Sequence, residues 1–304
     1  MSNQYIICQL CPRVCKVNRE VGYKGICGVD AGLKVARAAL HFWEETCISG
    51  KRGSGAVFFS GCSLHCVFCQ NENIAQGTVG KEISRERLVE IFLELQEQGA
   101  NNINLVTAGH YIPHIVWSVE HARNQGLKLP IVYNTSSYER VESLKQLEGI
   151  VDIYLPDFKY WSSDLAAKYS HAPDYPKVAK MAIAEMVRQQ PTPEFLAEQD
   201  EGLDIMSKGV IVRQLLLPGQ LKDAKQIVKY LYETYGNQIY LSLMSQFTPL
   251  PHLEKYPELN RRVSLRTYER YVDYAISLGV ENGFVQEGDV AEESFIPEFD
   301  GEGV

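Results

Sequence analysis

From Ala56 onward the chain alternates short apolar runs, rich in β-branched and aromatic residues, with longer amphipathic stretches. The runs are Val57–Ser60, Asn102–Val106, Pro130–Asn134, Asp152–Leu155, Val210–Leu217 and Ile239–Met244. Strands separated by helix-length segments pair in parallel through right-handed crossovers. Ser84–Gln98 is the clearest helical stretch. Ser84 suits an N-cap, Leu88, Ile91, Phe92 and Leu95 form one apolar stripe, and Gly99 stops the helix. Further helices are expected near 111–125, 139–147, 173–189, 221–235 and 265–278. Six strands are too few to close an eight-stranded barrel. The expected fold class is therefore α/β, a partial, open (β/α)6 TIM-like barrel. Its ligands should lie at the C-terminal ends of the strands.

Residues 1–55 fall outside this alternation and read as a small Cys-rich metal-binding module, with 56–288 as the barrel. Residues 190–208 read as an exposed insertion, and 289–304 as a loosely held acidic tail. The chain has 304 residues, 45% hydrophobic and 22% charged, with a net charge of −8. That balance excludes disorder, and the lack of a basic surplus or stripe argues against nucleic acid as a partner. No apolar run reaches the ~18 residues that a membrane helix needs. The first residues have neither a basic start nor a long apolar stretch, so the protein is expected to be cytoplasmic, with no membrane partner.

Cysteine carries the chemical information. There are eight, at 8, 11, 15, 27, 47, 62, 66 and 69, and none follows Cys69. Clustering of this kind in a long chain points to metal or redox chemistry rather than to a disulfide scaffold. Directly after the first strand, Cys62, Cys66 and Cys69 stand in a C-x3-C-x2-C loop. Three thiolates can hold three corners of a [4Fe–4S] cubane and leave the fourth iron open. A three-Cys zinc site completed by water is the alternative. Cys8, Cys11, Cys15 and Cys27 give C-x2-C-x3-C-x11-C, which suits a closed zinc site and a second iron–sulfur cluster equally. Cys47 is left over and reads as a small buried hydrophobe.

At the C-x3-C-x2-C loop, with Phe68 just before the last Cys, the sequence resembles the radical S-adenosylmethionine (SAM) superfamily. The runs CQLCPRVCKVNR, HFWEETCISGKRGSGAVFFSGCSLHCVFCQN, NINLVTAGHY, PIVYNTSSYE, VDIYLPDFKY, GVIVRQLLLPG and SLMSQFTP resemble one branch, the pyruvate formate-lyase activating enzyme homologues with N-terminal Cys. The resemblance implies a [4Fe–4S] cluster on Cys62, Cys66 and Cys69, with SAM bound to the open iron. It implies reductive cleavage of SAM to a 5′-deoxyadenosyl radical that abstracts hydrogen from a substrate. The implied substrate is a glycyl-radical protein or a peptide; a small molecule is the alternative. The implied reductant is a low-potential donor of the flavodoxin or ferredoxin type. A non-enzymatic zinc or iron–sulfur protein is the reading from another class.

Several residues at predicted strand ends are candidates for SAM contacts. Phe68 would lie near the adenine. Thr107, Ala108, Gly109 and His110 would form the loop at the methionine amino group. Asn134, Thr135 and Ser136 offer amide and hydroxyl partners for ribose or carboxylate. Lys159, in an Asp157-x-Lys159 segment, would meet the SAM carboxylate. Arg213, inside an apolar run, needs an anionic partner and suits a carboxylate. Met244, Ser245 and Gln246 close the last strand end near adenine or substrate. Two departures from the family pattern stand out. Thr107-Ala108-Gly109-His110-Tyr111 replaces a T-P-T-H-Y run, and Gln214 stands where relatives tend to have His.

Overall fold

The computed structural model describes residues 3–286 and 297–304. Its strands are β1 (Leu33–His41), β2 (Ser54–Phe59), β3 (Lys81–Ile83), β4 (Ile103–Val106), β5 (Ile131–Thr135), β6 (Ile153–Pro156), β7 (Glu194–Asp200), β8 (Leu203–Leu215), β9 (Tyr240–Met244) and β10 (Gly283–Val285). The sheet order is β10-β9-β8-β6-β5-β4-β2-β1-β3, with β7 paired to β8. From β2 through β10 every neighbouring pair on this path is parallel. The β1–β2, β1–β3 and β7–β8 pairs are antiparallel. All six expected strands are present, and the sheet ends at β10 and β3 without joining them, so the barrel is open.

The helices follow from capping and periodicity. Ser84 accepts a hydrogen bond from the Arg87 backbone N–H and starts the helix Arg85–Glu97, which buries Leu88, Ile91, Phe92 and Leu95. Ile112–Asn124, Tyr175–Gln189, Leu221–Tyr235 and Leu265–Leu278 lie where periodicity placed them. The stretch 139–147 is only one α-turn, Val141–Leu144, followed by a 3-10 turn. A short helix at Ser163–Ser170, capped by Ser162, was not foreseen. Among the described residues no helix is long and apolar enough to cross a membrane.

Three segments depart from expectation. Residues 33–55, grouped above with the Cys-rich module, supply β1 and the start of β2 to the sheet. The segment 190–208 is largely exposed, as expected, but it is ordered as the β7–β8 hairpin, in which Asp200 is 1% exposed. Asp200 accepts hydrogen bonds from the Arg52 N–H and the Asn101 amide, both 2.9 Å. The two Pro and several acids hid a strand whose partner is the long extension of β8. In the tail, 289–296 lie outside the described residues, while 297–304 are held along β1. The β3 strand covers only Leu33–Val35, so Ala38 N–H remains free to donate to Glu302 O, and Ala36 O accepts from Gly301 N–H. Arg37 pairs with Asp300 at 3.2 Å and with Glu302.

The barrel interior is stopped at one end by the short helix Thr46–Ser49. Cys47 and Ile48 pack there with Val132, Ile153, Leu155, Met206 and Ile211. Cys47 is thus an apolar filler, and burial pushes its thiol up to about 12. With this end closed, the space for a ligand lies at the opposite end, among the C-terminal ends of the strands. Ile48→Ala should cost about 3 kcal/mol of stability through the cavity it leaves. Denaturant unfolding of the variant against the wild type measures this.

Candidate functional site at the strand ends

The cysteine loop leaves β2 through a turn that only glycine permits. Gly61 has φ +94°, and a Cβ there would lie 2.8 Å from Cys27 O and 3.0 Å from His110 Nε2. Beyond it, Cys62 N–H donates to Cys27 O at 3.2 Å. His65 takes a positive φ of 52° and its Nε2 meets Ile26 O at 2.6 Å. Arg13 binds the loop from outside, donating to Ser63 O at 2.8 Å and to Ser170 O at 3.0 Å. The loop is therefore shaped by residues of the N-terminal segment.

Cys62, Cys66 and Cys69 all line one cleft of about 280 Å³. Burial raises all three thiols, Cys69 to about 12; at Cys66 the Lys159 charge opposes the rise. Thiols so buried become thiolates only when metal charge compensates them. Donors are already aimed at the sulfurs: Leu64 N–H at 3.4 Å from Cys62 Sγ and Ser170 Oγ at 3.0 Å from Cys66 Sγ. Among the described residues no three Cys, His, Asp or Glu side chains gather tightly enough for a single ion. Three sulfurs spread over a loop, with donors to sulfur and a nearby cation, fit a cluster with three Cys ligands.

The cleft is floored by buried charge. Arg213, from β8, donates to Asp157 Oδ1 at 2.8 Å, Glu44 Oε2 at 3.0 Å and Asn134 Oδ1 at 2.6 Å. Lys159 Nζ donates to Asp157 Oδ2 at 2.6 Å. Glu44 Oε1 also accepts from Asn104 and Asn134, at 3.0 and 3.2 Å. Burial works against the Asp157 carboxylate, but the Arg213 and Lys159 charges outweigh it and hold the group below its usual range. Burial likewise opposes the charge on Lys159, and Asp157 restores it. His41, also in the lining, is pushed down to about 4 by burial and by the Arg37 and Arg213 charges, so it is neutral near pH 7.

Phe68, Thr107, Asn134, Thr135, Ser136, Lys159 and Arg213 all reach this cleft, with Met244 and Gln246. Phe68 packs against Tyr160 and Phe247, with ring centroids 6.3 and 5.9 Å away. Thr107 has φ +60°, a costly conformation for a β-branched residue and one that clusters at functional sites. Ala108, Gly109 and His110 do not reach the lining. They turn inward and are buried, and His110 Nε2 bonds Ser60 O at 2.8 Å. Burial and the Arg19 charge push that imidazole down to about 3. The Thr135 hydroxyl donates to Glu139 at 2.7 Å, which ties up its proton. Glu44 and Asn104 escaped the sequence reading. Glu44 sits before the interior helix and Asn104 inside an apolar strand, so neither lies at a predicted strand end.

A family of 4Fe–4S single cluster domains matches residues 49–160, the span holding the cysteine loop and the first four parallel strand ends. The chain is 26% identical over 275 residues to the uncharacterized protein MJ0674 of Methanocaldococcus jannaschii, a match covering 88% of this chain and 74% of that protein. The fold is similar to that of Streptococcus suis SuiB bound to S-adenosylmethionine, with TM-score 0.50 and 13% identity. This similarity covers 75% of the present chain, which spans about half the length of SuiB. A domain of a pyruvate-formate lyase-activating enzyme from Bacteroides vulgatus gives TM-score 0.40 and 13% identity, over 62% of this chain and all of that domain.

Two stability predictions come from the buried charges. Asp157→Ala leaves Arg213 and Lys159 short of an anion and should cost about 3 kcal/mol in denaturant unfolding. Glu139 is buried, and its carboxyl is pushed up from 4.5 to about 7 by burial, against the hydrogen bonds from Thr135 and Tyr133. A raised pKa gives stability that is full below the unfolded pKa and is lost as pH rises through the folded one. The wild type should therefore lose about 3 kcal/mol between pH 4.5 and just above 7 from this group. Glu139→Gln should remove that slope from the thermal stability profile.

Proposed function

We propose that this chain is a cytoplasmic radical SAM enzyme that binds a [4Fe–4S] cluster through Cys62, Cys66 and Cys69 and reductively cleaves SAM. When bound, cluster and SAM together supply a 5′-deoxyadenosyl radical, which abstracts a hydrogen atom from the substrate. The observation that carries this reading is the position of the three thiols. They line the same cleft as the polar strand ends of an open parallel sheet, where ligands bind in such folds. SuiB, of similar fold, binds S-adenosylmethionine.

The residues around the cleft have separable tasks. Phe68 offers an aromatic face to the adenine. Lys159 keeps two ammonium protons beyond its bond to Asp157 and offers them to the SAM carboxylate. Ser136 and the Thr107 loop border the ribose and methionine. Arg213, Asp157, Glu44 and Asn134 hold one another rather than a ligand, and so preserve the shape of the floor. The substrate proposed is a protein or peptide, as for glycyl-radical activases, because the cleft opens at an unclosed barrel. Exposed Phe42 and Trp43 lie beside it. The reductant proposed is a flavodoxin- or ferredoxin-type donor.

Anaerobically reconstituted protein with dithionite and SAM should form 5′-deoxyadenosine. Cys62→Ala, Cys66→Ala and Cys69→Ala should each reduce it to the background of protein-free controls. Product formation by any one of the three variants at the wild-type rate contradicts the assignment.

A further inference from the structure

The helix Ser163–Ser170 ends against the cysteine loop. His171, with φ +50°, closes it in the left-handed region and sends its N–H back to Ala167 O at 3.1 Å. Two carbonyls at this end grip the chain on either side. Tyr169 O accepts the Val67 N–H at 2.8 Å, and Ser170 O accepts from the Arg13 guanidinium at 3.0 Å. The Ser170 side chain is thereby fixed beside a ligand thiol. Its hydroxyl lies 3.0 Å from Cys66 Sγ and 2.7 Å from the Tyr160 hydroxyl. Ser170 and Tyr160 are both fully buried, so water does not compete for either group.

The order of protons along these three groups follows from counting. A ligating sulfur is a thiolate and only accepts. The Ser170 hydroxyl has one proton; given to Cys66 Sγ, it leaves the oxygen free to accept. A phenol is protonated near pH 7, so the Tyr160 O–H supplies that bond. The Tyr160 ring is held edge-on to Tyr175, with centroids 5.4 Å apart, and lies 6.3 Å from Phe68, which keeps its hydroxyl aimed at Ser170. The chain therefore runs from Tyr160 O–H to Ser170 Oγ and from Ser170 O–H to Cys66 Sγ. In such a chain each bond polarises and strengthens the next.

This arrangement is confined to one sulfur. Cys62 Sγ receives the Leu64 N–H at 3.4 Å, and among the described residues Ser170 is the one side-chain hydroxyl placed on any of the three loop thiols. A hydrogen bond to a cluster sulfur favours the state that carries more negative charge, which is the reduced state.

We infer that Ser170 and Tyr160 raise the reduction potential of a cluster on Cys62, Cys66 and Cys69, Ser170 by donating to the ligand sulfur and Tyr160 by positioning and polarising Ser170. The inference rests on the enzymatic reading above. One electron from the donor enters the cluster, while both protons stay on their own oxygens and no bond is made or broken. A Ser170 that merely tied the helix to the loop would leave the potential where it is.

Wild type, Ser170→Ala and Tyr160→Phe are reconstituted without oxygen and titrated with dithionite in the presence of redox mediators, with EPR reading the reduced cluster. The signal followed is the one that the triple variant Cys62→Ala, Cys66→Ala, Cys69→Ala lacks. At the wild-type midpoint, the ratio of reduced to oxidised cluster should fall about threefold in Ser170→Ala, a shift of about 28 mV for one electron. Tyr160→Phe should move the ratio the same way by a smaller factor. A ratio in Ser170→Ala that is unchanged or raised overturns the inference. Should Ser170→Ala fail to fold, Tyr160→Phe, which keeps the ring, decides: a lowered ratio supports the inference and an unchanged one overturns it. A wild-type signal identical to that of the triple variant means that no cluster sits on the loop, and the enzymatic reading falls together with the inference. A loop cluster whose potential neither substitution lowers removes the inference alone.

Discussion

The buried guanidinium of Arg213 organises the working end of this molecule. One side chain from β8 reaches an acid after β6, an amide at the end of β5 and an acid just before the interior helix. A charge in that position is costly unless several partners meet it at once. The requirement therefore works in reverse and sets the spacing of β5, β6 and β8 as well as the seating of residues 44–49. Lys159 joins through Asp157, which places a second cation near Cys66. The polar floor and the apolar stopper beneath it are complementary. Ile48 and Cys47 exclude water from one end, and the charged network faces the other.

The cysteine loop depends on a second set of contacts, mostly from the N-terminal thirty residues. Gly61 lets the chain turn against Cys27 O, His65 bonds Ile26 O, and Arg13 holds the carbonyls of Ser63 and Ser170. Ser170, itself bonded to Tyr160, then points its hydroxyl at Cys66 Sγ. The loop is thus held between the Cys-rich segment and the helix Ser163–Ser170. Thiols on a loop keep a fixed arrangement only with such support.

Much of this was legible in the chain. Periodicity found the six main strands and most helices, since a strand buried on both faces is a run of β-branched residues and an amphipathic helix shows its stripe. The three cysteines after the first strand were legible from spacing alone, and the strand-end rule led to Thr107, Asn134, Lys159 and Arg213. Other features were hidden for physical reasons. Glu44 reaches the site from a segment with no periodic signal. The Leu203–Ser207 extension of β8 has mixed polarity because it pairs outside the main sheet. His110 seemed available for a ligand, yet its ring is spent on Ser60 O. Asn134 and Thr135 lie at the cleft, but their polar atoms are largely committed to Arg213, Glu44 and Glu139.

By itself, the sequence determined the α/β class, the parallel order of alternation and the close C-x3-C-x2-C spacing of three thiols after the first barrel strand. These depend on local periodicity and on spacing along the backbone, which a linear chain records directly. Tertiary structure alone decided which polar residues face the cleft and which are consumed by one another. It also decided that the N-terminal thiols lie one hydrogen bond from the cysteine loop. Those outcomes depend on contacts between residues far apart in the chain, such as Glu44 with Arg213 and Cys27 with Cys62, and no local pattern encodes them.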